Sequence, residues 1–278
     1  MKKVFYLGPE GSYSHSIAKQ MFGKRDYELI AQESFGEIIN HTTSITHSIG
    51  VLPIENSITS DIHENIDHLF THDMTISQEA FLRINLHLVG LPTATREDIT
   101  EVYSHERALA QCSKFIAEHN LKAHPSQSTS RGRDIILEKN NKSVAVIGSK
   151  ILVEKNKLKI LQENIGNDKY NMTRFVFVVK DFSDDLQSIK NKASIIFKVP
   201  HVSGSLAVLL QEIAKLKLNL TKIESRPIPG TNWEYQFWID LENITGPLEK
   251  KILDTLFKKN TLEYKILGIY PSGKIYES

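Results

Sequence analysis

Asn171-Met172-Thr173-Arg174-Phe175 sets a hydroxyl and a guanidinium at the start of an uncharged run, Val176-Phe177-Val178-Val179. A run so rich in β-branched and aromatic residues reads as a strand buried on both faces. At its mouth a threonine can donate a hydrogen bond and an arginine can pair with a carboxylate. Both can equally be ordinary strand-edge residues. Glu55-Asn56-Ser57 follows a second apolar run, 49–54. Open α/β sheets bind ligands outside the carboxyl ends of strands. A carboxylate held there can act as acid, base or orienting group. The plainer alternative is a polar loop leading into the helix over 61–70. Ser104-His105 closes a strand around 101–103. Gln111 lies at the edge of the stripe Ala108, Leu109, Cys112, Phe115 and Ile116, which predicts one helix running to about His119. An amide at that edge needs a partner, either a ligand or a backbone group. Gly8-Pro9-Glu10-Gly11 is a turn, and Ser12-Tyr13-Ser14 opens a helix. Such a start can offer N–H groups to an anion, or can be a βα turn with a serine cap. No P-loop and no G-x-G-x-x-G is present.

These groups need elements to hold them. Strand and helix alternate from residue 1 to 181, which predicts a largely parallel α/β architecture in two lobes. Residues 181–192 are polar and read as a linker. After it the pattern is strand, helix, two strands, helix, strand within 193–278. This is the ferredoxin-like βαββαβ order. Trp238 and Ile196 lie on its helix-free face, which hints at a partner subunit there.

The bulk numbers narrow the class. The chain has 278 residues, enough for two domains, with 40% hydrophobic and 24% charged residues. Lys+Arg 34 against Asp+Glu 33 leaves no basic excess for a nucleic-acid partner. No apolar run is long enough to span a bilayer. Cys112 is the only cysteine, so no intrachain disulfide can form and a cytoplasmic home is expected. It reads as a small core residue. The histidine spacing suggests no metal site.

Taken in order, these segments resemble the prephenate dehydratase family. The carriers are 7–15, 51–57, Val102-Tyr103-Ser104-His105 with Gln111-Cys112, Ser128-Thr129, and 171–175; Gly204-Ser205-Leu206 and 219–227 resemble its regulatory ACT domain. The resemblance implies an α/β fold with a two-lobed, periplasmic-binding-protein-like catalytic domain at 1–181. Its second lobe would span roughly 78–160, with a linker at 182–192 and a ferredoxin-like ACT domain at 193–278. It implies conversion of prephenate to phenylpyruvate, CO2 and water in phenylalanine biosynthesis, without metal or organic cofactor. Thr173 would give a proton or hydrogen bond to the leaving hydroxyl, with Glu55 and Asn56 orienting it. Ser104 and Gln111 would bind substrate or position the leaving group. Arg174, Ser12, Ser14, Ser128 and Thr129 would hold the substrate. Gly204, Ser205, Leu206, Asn219, Glu224, Ser225 and Arg226 would bind phenylalanine as a feedback effector, in a homodimer or homotetramer.

The chain departs from the family pattern at several positions. Thr59-Ser60 stand for an acidic residue and a glycine, and Glu106-Arg107 for Pro-Gln. Arg131 and Arg133 add charge after Ser128-Thr129, and Ser203 replaces a common proline. These bear on cleft shape, substrate preference and phenylalanine control. The rival readings are an arogenate dehydratase and an amino-acid-sensing module without catalysis. A prephenate decarboxylase that does not aromatise would not need the proton donor Thr173.

Overall fold

The computed structural model describes residues 2–24, 26–126, 132–154, 158–180, 189–228, 230 and 234–278. The chain begins with β1 (Lys2–Leu7), α1 (Tyr13–Phe22), β2 (Tyr27–Gln32), α2 (Phe35–Ser44) and β3 (Ser48–Asn56). The short β4 (Ser60–Asp61), α3 (His63–Thr71) and β5 (Thr75–Arg83) follow. Both early helices start at serine caps: Ser12 Oγ accepts from the His15 N–H and Ser34 Oγ from the Glu37 N–H, each at 3.2 Å. Helix α2 lies so close on β3 that a Cβ at Gly50 would sit 2.7 Å from Thr42 Oγ1. Glycine is therefore what this packing admits.

The chain then leaves for a second sheet. Its elements are β6 (His87–Gly90), β7 (Glu101–Ser104), α4 (Glu106–Gln111), α5 (Ser113–Glu118), β8 (Lys122–Pro125), α6 (Gly132–Lys139), β9 (Val144–Gly148), α7 (Ile151–Glu154) and β10 (Lys159–Gln162). The strand order is β10-β6-β9-β7-β8. The single helix expected to reach His119 is broken at Cys112. The Gln111 carbonyl accepts from the Asn167 N–H at 2.7 Å, while Asn167 Oδ1 accepts from the Lys114 N–H at 3.1 Å. The returning chain thus takes up backbone groups at the junction between the two helices.

β11 (Met172–Val179) re-enters the first sheet between β3 and β5, antiparallel to both. Each sheet therefore mixes parallel and antiparallel pairs, where the alternating elements predicted a largely parallel one. The cause is the excursion itself, because a chain that leaves after one strand and comes back returns in the opposite direction. Phe175 and Phe177 enter one apolar cluster with Ile17 and Phe22, and Val176 and Val178 enter another with Leu52 and Ile66. This is the strand buried on both faces that the sequence predicts.

The remaining elements are β12 (Lys192–Lys198), α8 (Ser205–Lys215), β13 (Asn219–Pro227), β14 (Tyr235–Glu242), α9 (Lys250–Asn260), β15 (Glu263–Tyr270) and β16 (Lys274–Glu277). Sheet order β13-β14-β12-β15, all antiparallel, is the ferredoxin-like arrangement expected. Most of the expected linker, 181–188, lies outside the described residues. Two expectations are corrected. Trp238 and Ile196 are covered by this same chain, in one cluster with Phe5, Leu52, Met74 and Tyr270. The C-terminal unit also does not keep its last strand, since β16 pairs in parallel with β5 and becomes an edge of the first sheet. β15 passes so near β5 that a Cβ on Gly268 would lie 2.1 Å from the Ile76 carbonyl oxygen.

Candidate active site

A bulge decides which side chains share a face. Thr173 is paired with Asn56, Arg174 with Glu55 and Phe175 with Pro53, so Ile54 is the extra residue of β3. A bulge places two residues opposite one and re-aims the side chains beyond it. Here it puts Asn56 beside Thr173, and turns Glu55 with Arg174 to the other side of the sheet.

On the first side an amide relay crosses between lobes. Asn56 Nδ2 donates to Thr173 Oγ1 at 3.0 Å and to Asn171 Oδ1 at 2.9 Å. Asn171 Nδ2 donates onward to Gln111 Oε1 at 3.2 Å, reaching α4 of the second lobe. Asn56 Oδ1 accepts from the N–H groups of Ile58 and Thr59 at 3.0 and 2.9 Å. That fixes the amide with its NH2 toward Thr173. With its oxygen accepting from Asn56, the Thr173 hydroxyl keeps its proton for an outside acceptor. Gln111 and Asn171 also line a cavity of about 290 Å³ with Ile58, Ile84, Leu86 and Arg107.

On the second side the sheet meets the ferredoxin-like unit through buried ions. Arg174 Nε donates to Glu79 Oε2 at 2.7 Å, Nη2 to Tyr270 Oη at 3.1 Å, and Nη1 to Asp240. Lys192 Nζ donates to Glu79 Oε1 at 2.9 Å, and Trp238 Nε1 to Asp240 Oδ1 at 2.8 Å. Ser194 donates to Asp240 as well. Burial works against the Arg174 charge, but Asp240, Tyr270 and Glu79 outweigh it and hold its pKa well above the ordinary value. Burial likewise opposes the Asp240 charge, and Arg174 and Lys192 still keep its carboxyl below the usual range. Arg174, expected to receive a substrate carboxylate, is 4% exposed with its donors committed to protein groups. It ties two units together. Glu55 faces the same way, 3.5 Å from Arg174 and 3.8 Å from Lys222 of β13.

The other expected residues divide. Ser12 Oγ donates to the Leu7 carbonyl at 2.8 Å while capping α1, and Ser14 is buried. Ser12 is therefore engaged as the cap of the βα turn, and Ser14 lies on the buried side of α1. Ser104 is 1% exposed and donates to the Ile147 carbonyl at 2.8 Å, which fastens β7 to β9. Ser128 and Thr129 lie outside the described residues. Gly204, Ser205 and Leu206 line a cavity of about 780 Å³ with His201, Tyr235 and Phe237. Gly204 holds φ +89° there with open space around it, a conformation that glycine adopts without strain. Asn219 starts β13 opposite Glu242, and Asn219 and Ser225 are exposed. Glu224 and Arg226 are turned away from that cavity. Glu224 reaches His63 at 3.2 Å, and Arg226 donates to both Asp67 oxygens at 2.9 Å, so both brace β13 against α3. Cys112 is fully buried and burial pushes its thiol up to about 12, as befits a core residue.

Sequence reasoning passed over Asn171, Glu79, Asp240 and Tyr270 as functional groups. Asn171 opens the very motif that was singled out, and an amide beside a candidate hydroxyl was the available signal. Asp240 alternates with apolar residues along β14, the pattern of a solvated face. Only the docking of the first sheet makes it buried.

A model of the family described as prephenate dehydratase matches residues 4–183. The prephenate dehydratase of Methanocaldococcus jannaschii is 34% identical over 274 residues, covering 97% of this chain and 98% of that one. The chain belongs to the prephenate dehydratase family. Two solved structures extend the likeness through the C-terminal unit. The prephenate dehydratase of Staphylococcus aureus superposes with a TM-score of 0.85 at 26% identity, covering 98% of this chain and 100% of the other. The prephenate dehydratase of Arthrobacter aurescens in complex with L-Phe gives 0.83 at 26% identity, covering 97% and 90%. Membership makes this chain a carbon–oxygen lyase of phenylalanine biosynthesis. No helix among the described residues is long and apolar enough to cross a membrane.

Proposed function

We propose that this chain carries out the family's decarboxylative dehydration of prephenate on the Asn56–Thr173 side of its first sheet. The observation that carries the reading is the relay from Thr173 through Asn56 and Asn171 to Gln111, which joins both lobes at the motif residues. The ring hydroxyl must leave as water while the ring carboxylate leaves as CO2, and aromatisation drives both. Thr173 donates to the departing oxygen, and the Asn56 N–H held on Thr173 Oγ1 makes that hydroxyl a better donor. Asn171 and Gln111 position the relay and supply amide groups to the substrate rim. The apolar wall of Ile58, Ile84 and Leu86 receives the ring and keeps water from it. Glu55 and Arg174 take no part in the proton step, because the bulge turns them to the domain junction.

We infer that phenylalanine binds in the cavity of Gly204, Ser205 and Leu206, with Tyr235 and Phe237 for its ring, and acts as feedback effector. Exposed Val202 and Leu262 line that cavity and fit a homo-oligomer, dimer or tetramer, that closes over it. A cytoplasmic place fits the lone, buried cysteine.

Phenylpyruvate formation from prephenate, followed by absorbance and titrated with phenylalanine, tests both statements. Turnover that falls as phenylalanine is added is the expected result. A well-folded chain that turns over arogenate but not prephenate would overturn the substrate assignment. Turnover indifferent to phenylalanine would overturn the effector assignment alone.

A further inference from the structure

The geometry points to Arg107 as the residue that receives the substrate's side-chain carboxylate and sets the preference for the oxo acid over its amino counterpart. The inference rests on the dehydratase reading and adds a cation: among the described residues lining the cavity, Arg107 is the one that carries positive charge. Prephenate carries its hydroxyl at one pole of the ring and both carboxylates at the other. A complementary site therefore needs a hydrogen-bond donor and a cation at opposite ends of an apolar slot. Arg174, the cation of the motif, is spent on Glu79, Asp240 and Tyr270.

Arg107 fills the requirement on several counts. It lies four residues before Gln111 on α4, so the two share one face of that helix. It lines the same cavity as Gln111 and Asn171. The order Thr173, Asn56, Asn171, Gln111, Arg107 thus runs from the proton donor at one end to a guanidinium at the other. Among the described residues the Arg107 side chain is exposed and makes no hydrogen bond or ion pair. Asp168, the one carboxylate lining the cavity, accepts instead from the Tyr170 N–H at 2.7 Å. The backbone N–H of Arg107 is held by His105 Nδ1 at 3.2 Å, which anchors the first turn of the helix that carries it.

The chemistry chooses between the two carboxylates. A cation bound to the ring carboxylate would stabilise the charge that must depart as neutral CO2, and so oppose the reaction. Bound to the side-chain carboxylate it holds the substrate equally in ground and transition states. Such a contact shows in KM rather than kcat. The same charge stands near the oxo group, where arogenate bears an ammonium, and like charges there select against the amine.

The test is steady-state kinetics of wild type, Arg107→Gln and Arg107→Lys with prephenate and with arogenate. Gln should raise KM for prephenate roughly tenfold or more, as loss of a charge-assisted hydrogen bond does, with kcat within about twofold. Lys should recover most of that loss, and added salt should weaken wild type more than the Gln variant. The prephenate-to-arogenate ratio of kcat/KM should fall in the Gln variant. An unchanged KM in folded Arg107→Gln overturns the inference while leaving the dehydratase reading intact. A lowered kcat at unchanged KM overturns it too. Absence of wild-type turnover with prephenate would instead remove the reading on which it rests.

Discussion

The two faces of the β3–β11 pair are built from neighbouring residues and have opposite characters. On one face Asn56 and Thr173 are neutral and partly exposed, Asn171 is neutral and buried, and all three are joined by hydrogen bonds that leave a hydroxyl proton free. On the other, Arg174 with Glu79, Asp240 and Lys192 forms a buried ionic knot between the first sheet and the ferredoxin-like unit. The contrast shows where charge is useful. A fixed guanidinium beside the leaving hydroxyl would do nothing for proton donation, whereas a buried ion network demands one partner geometry and so specifies how two domains meet. On the proposed reading, one strand thereby carries the proton donor and a docking group at adjacent positions. A shift of the C-terminal unit that moves Arg174 acts on the residue next to Thr173.

Each face can be disabled separately. Thr173→Ala should lower kcat by roughly 10²- to 10⁴-fold, the usual worth of a general acid, with the thermal midpoint nearly unchanged. Asp240→Ala should do the reverse. It strands a buried guanidinium, so urea unfolding should show a loss of about 3–5 kcal/mol, with the C-terminal unit detaching first. The same residue leaves a mark in the pH dependence. The Asp240 carboxyl is depressed below 3.8, so its contribution is complete above that value and disappears as pH falls through the lower folded one. The acid limb of the stability curve below 3.8 should therefore flatten in Asp240→Ala.

A smaller effect belongs to His87, buried in the second lobe, whose ring burial and Lys150 hold below 6.5. The unfolded chain takes up that proton first, so stability should decline as pH drops below 6.5. His87→Gln should remove the slope. The smallest change is expected at the rim, where Arg226→Ala breaks a half-exposed pair with Asp67 and should cost under about 1 kcal/mol by chemical denaturation.

Much of this architecture was legible in the sequence. β11 announced itself through five uncharged β-formers, and the C-terminal unit through its βαββαβ order. Two polar clusters, each at the end of an apolar strand, marked Thr173 and Glu55-Asn56 as candidates, and the family resemblance named Glu55 and Asn56 together as partners of Thr173; the structure brings Asn56 alone to it. The faces were less accessible. Pro53-Ile54-Glu55 gives no sign in composition that one residue is extra, and without the bulge Glu55 would share the side of Thr173. The roles of Asp240 and Trp238 depended on docking across long sequence separation, and those of Glu224 and Arg226 on α3 lying beneath β13. Local patterns cannot report such tertiary cover. The terminal strand β16 is short and carries no periodic signature, so its return to β5 came from the structure alone.

The most direct test of two separate faces is kcat for prephenate in Thr173→Ala and Glu55→Gln, measured side by side on folded protein. The account predicts a loss of about 10²-fold or more for the first and a change within a few-fold for the second. Equal losses in both would place the Glu55 carboxylate in the chemistry and contradict the separation that the bulge creates.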